Sequence, residues 1–253
     1  MDLGLKGLKA ILVGANGGIG RVVARVLAAE GCDIAICGRS KDKVDNVLSE
    51  IASSGVKTYG QTADVTQVDA VPAFVDKAAE ALGGCDIFIS FTSTNLGEDT
   101  DAAWEAVLQA DILPMRRGIA AARPHLAKSD NASIVCLSST GAVEEFMGVQ
   151  PYNALKAAVM NYASSLAQAL APEGIRVNCF TPGPVMTEDG PWTHLKTAAP
   201  DFYNATLANM PSGRFTTGEE LAKAIAFVVS PSCKAMTGAN IVVDNGYTKR
   251  TQF

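Results

Sequence analysis

This chain of 253 residues has no block of lysine and arginine, no Cys-x-x-Cys pair, no long apolar run and no linker-like stretch. Each absence excludes something. With a formal net charge of -5, and no basic residues interleaved with aromatic ones, neither nucleic acid nor an anionic membrane is expected as the main partner. No apolar run reaches the roughly 18 residues that a spanning helix needs. Residues 1–9 carry Asp2 where a signal peptide would show a basic region followed by an apolar one. A soluble, cytoplasmic protein is expected. The six cysteines lie scattered in or beside apolar runs, without clustered histidine partners. They read as buried free thiols rather than disulfides or metal ligands, and no metal is expected. Without an internal linker, the chain is long enough to bury a substantial core as a single domain.

What is present is an alternation of strands and helices. Ala10-Ile11-Leu12-Val13 is a short, continuously apolar run, as in a strand buried on both faces of a parallel sheet. Gly14-Ala15-Asn16-Gly17-Gly18-Ile19-Gly20 follows, and residues 21–30 place apolar groups at helical spacing. A glycine turn between strand and helix lets the helix N-terminus present N–H groups and the positive end of its dipole to a pyrophosphate, although a plain glycine loop would read the same way. The next strand, 33–37, ends in Gly38-Arg39-Ser40. Dinucleotide folds examine the adenosine ribose at this corner: an acidic residue binds a 2′-hydroxyl, whereas an arginine accommodates a 2′-phosphate. With no carboxylate there, NADP(H) is expected over NAD(H), the alternative being a solvated surface arginine.

A helix is predicted over 41–53 and a strand over 56–59. Asp64, before Val65, is positioned either to accept from an adenine amino group or to cap a helix beginning near Gln67. Strands follow at 86–89, 133–137, 175–180 and 240–243. The first of these exits through Ser90-Phe91-Thr92-Ser93. Helices are predicted over 101–126, with Pro114 bending it or marking a boundary, over 152–170 and over 218–229. The pattern is α/β, a Rossmann-type doubly wound parallel sheet between two layers of helices, with ligand at the carboxyl ends of the strands. Residues 187–213 loosen and collect Pro191, Trp192, Phe202 and Tyr203. They read as a mobile lid over an apolar substrate or as a fixed packing segment.

In Tyr152-Asn153-Ala154-Leu155-Lys156, the four-residue step puts Tyr152 and Lys156 on one helix face. A phenol beside a cation ionises more easily and can donate a proton near neutral pH. Together with the glycine turn and the serine after the fifth strand, this segment resembles the short-chain dehydrogenase/reductase family over nearly the whole chain. Gly14, Gly18 and Gly20 match the family's Gly-x-x-x-Gly-x-Gly, and Tyr152 with Lys156 matches its Tyr-x-x-x-Lys. Ser139 lies thirteen residues before the tyrosine, Pro182-Gly183 matches the turn after the sixth strand, and Thr187 matches the threonine that bonds the nicotinamide carboxamide.

The resemblance implies that Tyr152 is the general acid in ketone reduction. Lys156 would assist it and hold the nicotinamide ribose, and Ser139 would bond the substrate oxygen. It also implies cofactor contacts from Gly14, Asn16, Gly17, Gly18, Ile19, Gly20, Arg39, Ser40, Asp64, Val65, Ser90, Pro182, Gly183, Val185 and Thr187, and assembly as a tetramer or dimer. Two positions depart from the family pattern. Ser90-Phe91-Thr92-Ser93 replaces its Asn-Asn-Ala-Gly, and Asp111 replaces a catalytic asparagine, as in a similar subgroup. An ionised Asp111 would stabilise the Lys156 cation directly.

Thr92, Phe146, Met147 and Trp192 are the residues expected to shape a pocket for a partly apolar or cyclic ketone. His125 is read as packing and His194 as part of the lid. The expected activity is NADPH-dependent carbonyl reduction or the reverse alcohol oxidation. Reduction of a 3-oxoacyl thioester is the alternative, with Arg116 and Arg117 as the candidate acyl-carrier patch. A non-catalytic NADP(H)-sensing protein is the alternative from another class.

Overall fold

An apolar run with no polar side is stable as a strand only with neighbours on both edges and cover on both faces. β1 (Lys9–Val13) has all four. In the computed structural model, which describes residues 1–94 and 97–251, β1 pairs in parallel with β2 (Asp33–Gly38) on one edge. On the other it pairs with β4 (Ile87–Ser90). With β3 (Thr58–Thr62), β5 (Ser133–Leu137), β6 (Arg176–Pro182) and β9 (Asn240–Val243), they form a seven-stranded parallel sheet of order β3-β2-β1-β4-β5-β6-β9. The order reverses between β1 and β4. That switch point opens a crevice at the strand ends, where Gly14 and Ser90 lie.

Alternate strand residues face opposite layers, as a pleated strand requires. Ile11, Val13 and Phe88 pack against α3 (Ala70–Leu82), α5 (Leu113–Leu126) and α6 (Pro151–Leu170) through Phe74, Ile119 and Val159. On the other face, Leu12, Ile36 and Ile89 meet α1 (Gly18–Ala29), α2 (Lys41–Ile51) and α9 (Gly218–Val229) through Leu27, Val47 and Ile225. Each such side chain contributes about 1.5–3 kcal/mol by leaving water. No helix among the described residues is long and apolar enough to cross a membrane.

The helical region 101–126 is not one uniform helix. It comprises α4 (Asp101–Val107), a wider π turn at Leu108–Ile112, and α5. Pro114 sits in the first turn of α5, directly behind the π turn, so the helix widens where the proline lacks an N–H. Residues 187–213 are also more regular than expected, containing α7 (Pro191–Ala198) and α8 (Pro200–Ala208). Pro191 and Pro200 each open a helix, so they act as starters rather than breakers. A short parallel pair, β7 (Val185–Met186) with β8 (Thr216–Thr217), ties the ends of this region together.

Arg176 in β6 is buried, and its guanidinium donates to the carbonyls of Val228, Val229, Ser230 and Met236. It closes the C-terminal end of α9, where carbonyls lack helical partners. Arg176→Met is expected to lower unfolding stability by about 2–4 kcal/mol, read from urea denaturation.

All six cysteines are free and buried. Burial pushes the thiols of Cys32 and Cys37 up to about 12 from the ordinary 9.0, and it raises those of Cys85 and Cys136 as well. Unfolded thiols ionise above pH 9 while the buried ones stay protonated. Stability should therefore be full below about pH 9 and fall as pH rises from there towards about 12. Urea midpoints across that range would show the decline, and a thiol reagent should react rapidly only with denatured protein.

Candidate active site

The site begins with the turn after β1. Gly14 has φ +73°, and a Cβ there would lie 2.9 Å from Thr92 Cγ2, so only glycine fits between the exits of β1 and β4. Asn16 fills the space beside Gly38, where a Cβ would come within 2.2 Å of its amide carbon. The room left by Gly38 therefore belongs to the asparagine. Gly17 caps α1 in an extended conformation, and Gly18 opens the helix, which turns N–H groups towards the crevice. One is engaged from within the chain, as Gly18 N–H donates to Asp189 Oδ1 at 2.9 Å. The set suits the diphosphate of a dinucleotide: small residues, backbone donors and a helix N-terminus at a switch point.

At the end of β2, Arg39 is exposed and the Ser40 hydroxyl caps α2 by accepting from Lys43 N–H. Asp64 caps no helix, since α3 starts later, at Ala70. Its carboxylate accepts from the Thr66 hydroxyl (2.8 Å) and amide (3.1 Å). These bonds, with a smaller contribution from Arg39, hold it below the usual carboxylate range. Val65 and Ile19 lean on the two core faces beside the crevice. Ser90 Oγ lies 3.2 Å from Thr92 Oγ1.

The side chains of the other half converge on Lys156. Its ammonium is buried, and a buried cation is tolerated only when paired and hydrogen-bonded. Nζ lies 3.2 Å from Asp111 Oδ2, donates to Leu137 O at 3.2 Å, and sits 5.5 Å from the centre of the Tyr152 ring. The backbone of Lys156 is fixed too, because Ser138 Oγ donates to its carbonyl at 2.8 Å.

Asp111 is itself anchored from the β4 exit: Ser93 Oγ donates to Oδ2 (2.8 Å) and Thr94 N–H to Oδ1 (2.7 Å). The altered Ser-Phe-Thr-Ser exit and Asp111 are thus parts of one arrangement. The π turn at Leu108–Ile112 carries Asp111. Ser139 leaves β5 in extended conformation and accepts from Gly141 N–H at 3.2 Å.

Past β6, Pro182 ends the strand, and Gly183 packs so closely on Asp244 that a Cβ would lie 2.7 Å from its Cβ. Val185 and Thr187 are buried. Trp192 stacks on Phe202 (ring centres 5.7 Å apart), and Phe146 reaches the same ring at 6.2 Å, so Trp192 and Phe146 share one aromatic cluster. Met147 is half exposed with φ +59° and stands outside it. His125 is not simply packed: its ring lies 3.3 Å from Asp76 on the surface. His194 is exposed on α7.

Sequence reasoning missed three contributors. Gln150 and Asn153 hold the segment before α6 by donating to the carbonyls of Met147 and Phe146, both at 2.8 Å. Asp189 reaches the glycine turn from 171 residues away. The amide residues flanking Tyr152 were a visible signal; nothing local marks Asp189.

A sheet with a glycine turn at its switch point, facing strand ends where a serine meets a tyrosine-lysine helix, places the chain among the nicotinamide-dependent oxidoreductases. Comparison with known proteins narrows the class. A family model described as enoyl-(acyl carrier protein) reductase matches residues 14–248. The chain belongs to the short-chain dehydrogenase/reductase family, whose members act on alcohol and ketone groups.

It is 31% identical to isoepoxydon dehydrogenase of Penicillium expansum, across 100% of this chain and 99% of that protein. It is 34% identical to cis-4-hydroxycyclohexanecarboxylate dehydrogenase of Sinomonas cyclohexanicum, across 94% and 96%. The solved L-sorbose reductase of Gluconobacter frateurii, complexed with NADPH and L-sorbose, superposes with a TM-score of 0.91 at 26% identity, across 99% and 100%.

Asp111→Ala would leave the Lys156 ammonium buried without its counter-ion. It is expected to cost about 3–5 kcal/mol of stability in urea denaturation. Asp111→Asn keeps an acceptor for Nζ and should cost clearly less.

Proposed function

We propose that the chain is an NADP(H)-dependent carbonyl reductase, or alcohol dehydrogenase in reverse, acting on a hydroxylated cyclic ketone. The observation that carries this reading is the convergence of the Lys156 ammonium, the Tyr152 ring and the Ser139 turn at one end of β5 and α6. In reduction, Tyr152 gives its proton to the carbonyl oxygen. Ser139 Oγ already accepts from Gly141, so its own hydrogen is available to the same oxygen. Lys156 stabilises the negative charge left on the phenol as the proton departs, and Asp111 holds Lys156 in place. A bound nicotinamide supplies the hydride.

Preference for NADP(H) is supported by exposed Arg39 and the Ser40 hydroxyl at the ribose corner, and by the NADPH complex of the sorbose reductase. Asp64 is the opposing feature, because its carboxylate competes with a 2′-phosphate for Arg39. The substrate class draws on two of these relatives, whose names give a hydroxycyclohexanecarboxylate and a sugar. A recess of about 180 Å³ beside the Ser139 turn, lined by Thr140, Glu144, Asn209 and Tyr247 among others, is polar enough to suit such a molecule. Residues 187–213 are read as its lid, with Trp192 and Phe202 as the apolar wall.

Reduction of a 3-oxoacyl thioester is the second reading. It is favoured by the family description and by 29% identity to a 3-oxoacyl-[acyl-carrier-protein] reductase of Staphylococcus aureus. The expected docking pair does not assist it: Arg116 is exposed, but Arg117 is half-buried, with a guanidinium nitrogen inside the fold that has no partner among the described residues.

A panel of hydroxylated cyclic ketones with one 3-oxoacyl thioester, run with both cofactors, tests the proposal. The ketones should be reduced, with kcat/KM about tenfold or more higher for NADPH than NADH, the worth of one charge-assisted contact. Tyr152→Phe should lower turnover about 10²–10⁴-fold while NADPH still binds. Preference for NADH would overturn the cofactor assignment, and a fully active Tyr152→Phe the catalytic one. Tight NADPH binding without turnover of any compound would identify a sensor.

A further inference from the structure

The segment after β7 presents two consecutive acids to the glycine turn. Glu188 pairs with Arg21 in the first turns of α1 at 3.1 Å, and Arg21 also pairs with Glu50 at 2.6 Å. Asp189 goes further in: Oδ1 accepts from Gly18 N–H at 2.9 Å, and Oδ2 lies where a Cβ on Gly17 would come within 2.8 Å of it. The carboxylate thus covers the glycine turn and holds a backbone donor of the α1 N-terminus. An anionic ligand at this turn would draw on the same set of N-terminal donors and the same positive end of the helix dipole.

Asp189 does not move alone. Gly190 N–H and the Thr193 hydroxyl both donate to Thr187 O, which folds residues 187–193 into one compact turn leading into α7. Trp192 belongs to that turn. Thr187 in turn is wedged against α9, where a Cβ on Gly218 would lie 2.8 Å from its Cγ2. Displacing the Asp189 carboxylate therefore acts on the start of the 187–213 segment.

We propose that Asp189 is an internal competitor for the diphosphate seat of the dinucleotide, a gating residue that couples cofactor binding to the first turn of the lid. Two negative groups cannot share the Gly18 N–H, so the cofactor binds by expelling the carboxylate. The expelled carboxylate releases its hold on the turn that carries Trp192. The energy of that exchange is subtracted from cofactor affinity, and in return the lid stays fastened to the nucleotide site until a dinucleotide arrives. The inference rests on dinucleotide binding at the glycine turn and is independent of which ketone is reduced or which nicotinamide cofactor is preferred.

The test is a fluorescence titration with NADPH and NADH of the full chain and its Asp189→Asn, Asp189→Ala and Glu188→Gln variants. A parallel set carries Trp104→Phe, which leaves Trp192 as the sole tryptophan reporter. Asp189→Ala should bind the better cofactor about tenfold more tightly, equivalent to one hydrogen bond to a charged group, with Asp189→Asn intermediate. Glu188→Gln breaks the Arg21 pair without touching the glycine turn, so its affinity should stay within about twofold of the parent. In the Trp104→Phe background, Asp189→Ala without cofactor should already show part of the Trp192 emission change that NADPH produces in the parent.

Unchanged or weaker binding by both Asp189 variants would overturn the proposal. So would equal tightening by Glu188→Gln, which would mean general loosening of the segment rather than competition for one donor. Trp192 emission indifferent to Asp189 would overturn the coupling to the lid. Failure of every form to bind either dinucleotide would overturn both this proposal and the oxidoreductase reading, whereas normal binding without ketone turnover would leave the gating result standing.

Discussion

A lysine ammonium inside a protein has to be compensated on every side or it is expelled, and much of this site follows from how Lys156 is compensated. Asp111 supplies the opposite charge, the carbonyl of Leu137 an acceptor, and the Tyr152 ring a polarisable face. Each comes from a different element, so the cation fixes the π turn, β5 and α6 relative to one another. Asp111 in turn needs further donors: Thr94 N–H satisfies its second oxygen, and the Ser93 hydroxyl joins Lys156 on the first, both from beyond the end of β4. A bulky, hydroxyl-bearing strand exit and a carboxylate in place of an amide are therefore one co-adapted solution. In low dielectric, removing either Asp111 or Lys156 would leave the other as an unpaired buried charge.

The layout of the fold was legible because its signals are local. Uninterrupted apolar runs of four or five residues gave the buried strands, and β5, α9 and β9 have the bounds that their patterns suggested. The tyrosine-lysine step and the glycine turn were also local, since each occupies one helix or one turn. What escaped was everything that depends on distant partners. Arg176 looks like an ordinary charge in a strand until the end of α9 is placed over it. Arg117 looks like half of a surface patch until the helix is rotated into position and its guanidinium turns inward. Residues 187–213 read as a loosened stretch, because nothing in the sequence says whether a proline stands inside a helix or at its first residue. Asp189 meets Gly18 only through the return of the chain across the sheet.

The two halves of the site differ in how they are built. The half at the glycine turn consists of backbone and missing side chains: Gly14, Gly17, Gly18 and Gly38 act by what they leave open, with Asp189 lying against Gly17 and Asn16 filling the space at Gly38. The other half consists of side chains whose charges cancel. Substitution therefore acts differently in each. An added methyl obstructs the first by volume, whereas the second fails when a charge is left uncompensated.

The π turn at Leu108–Ile112 holds one residue more than a regular helix would need to cover the same length. Loss of a single codon in that stretch would let the helix close into regular α geometry with its two ends still in phase. What would shift are the residues inside the turn, Asp111 among them, which would leave the position facing Lys156. The irregular turn is thus the part of the gene where heredity must preserve a length rather than a letter, and a survey of single substitutions would pass over it.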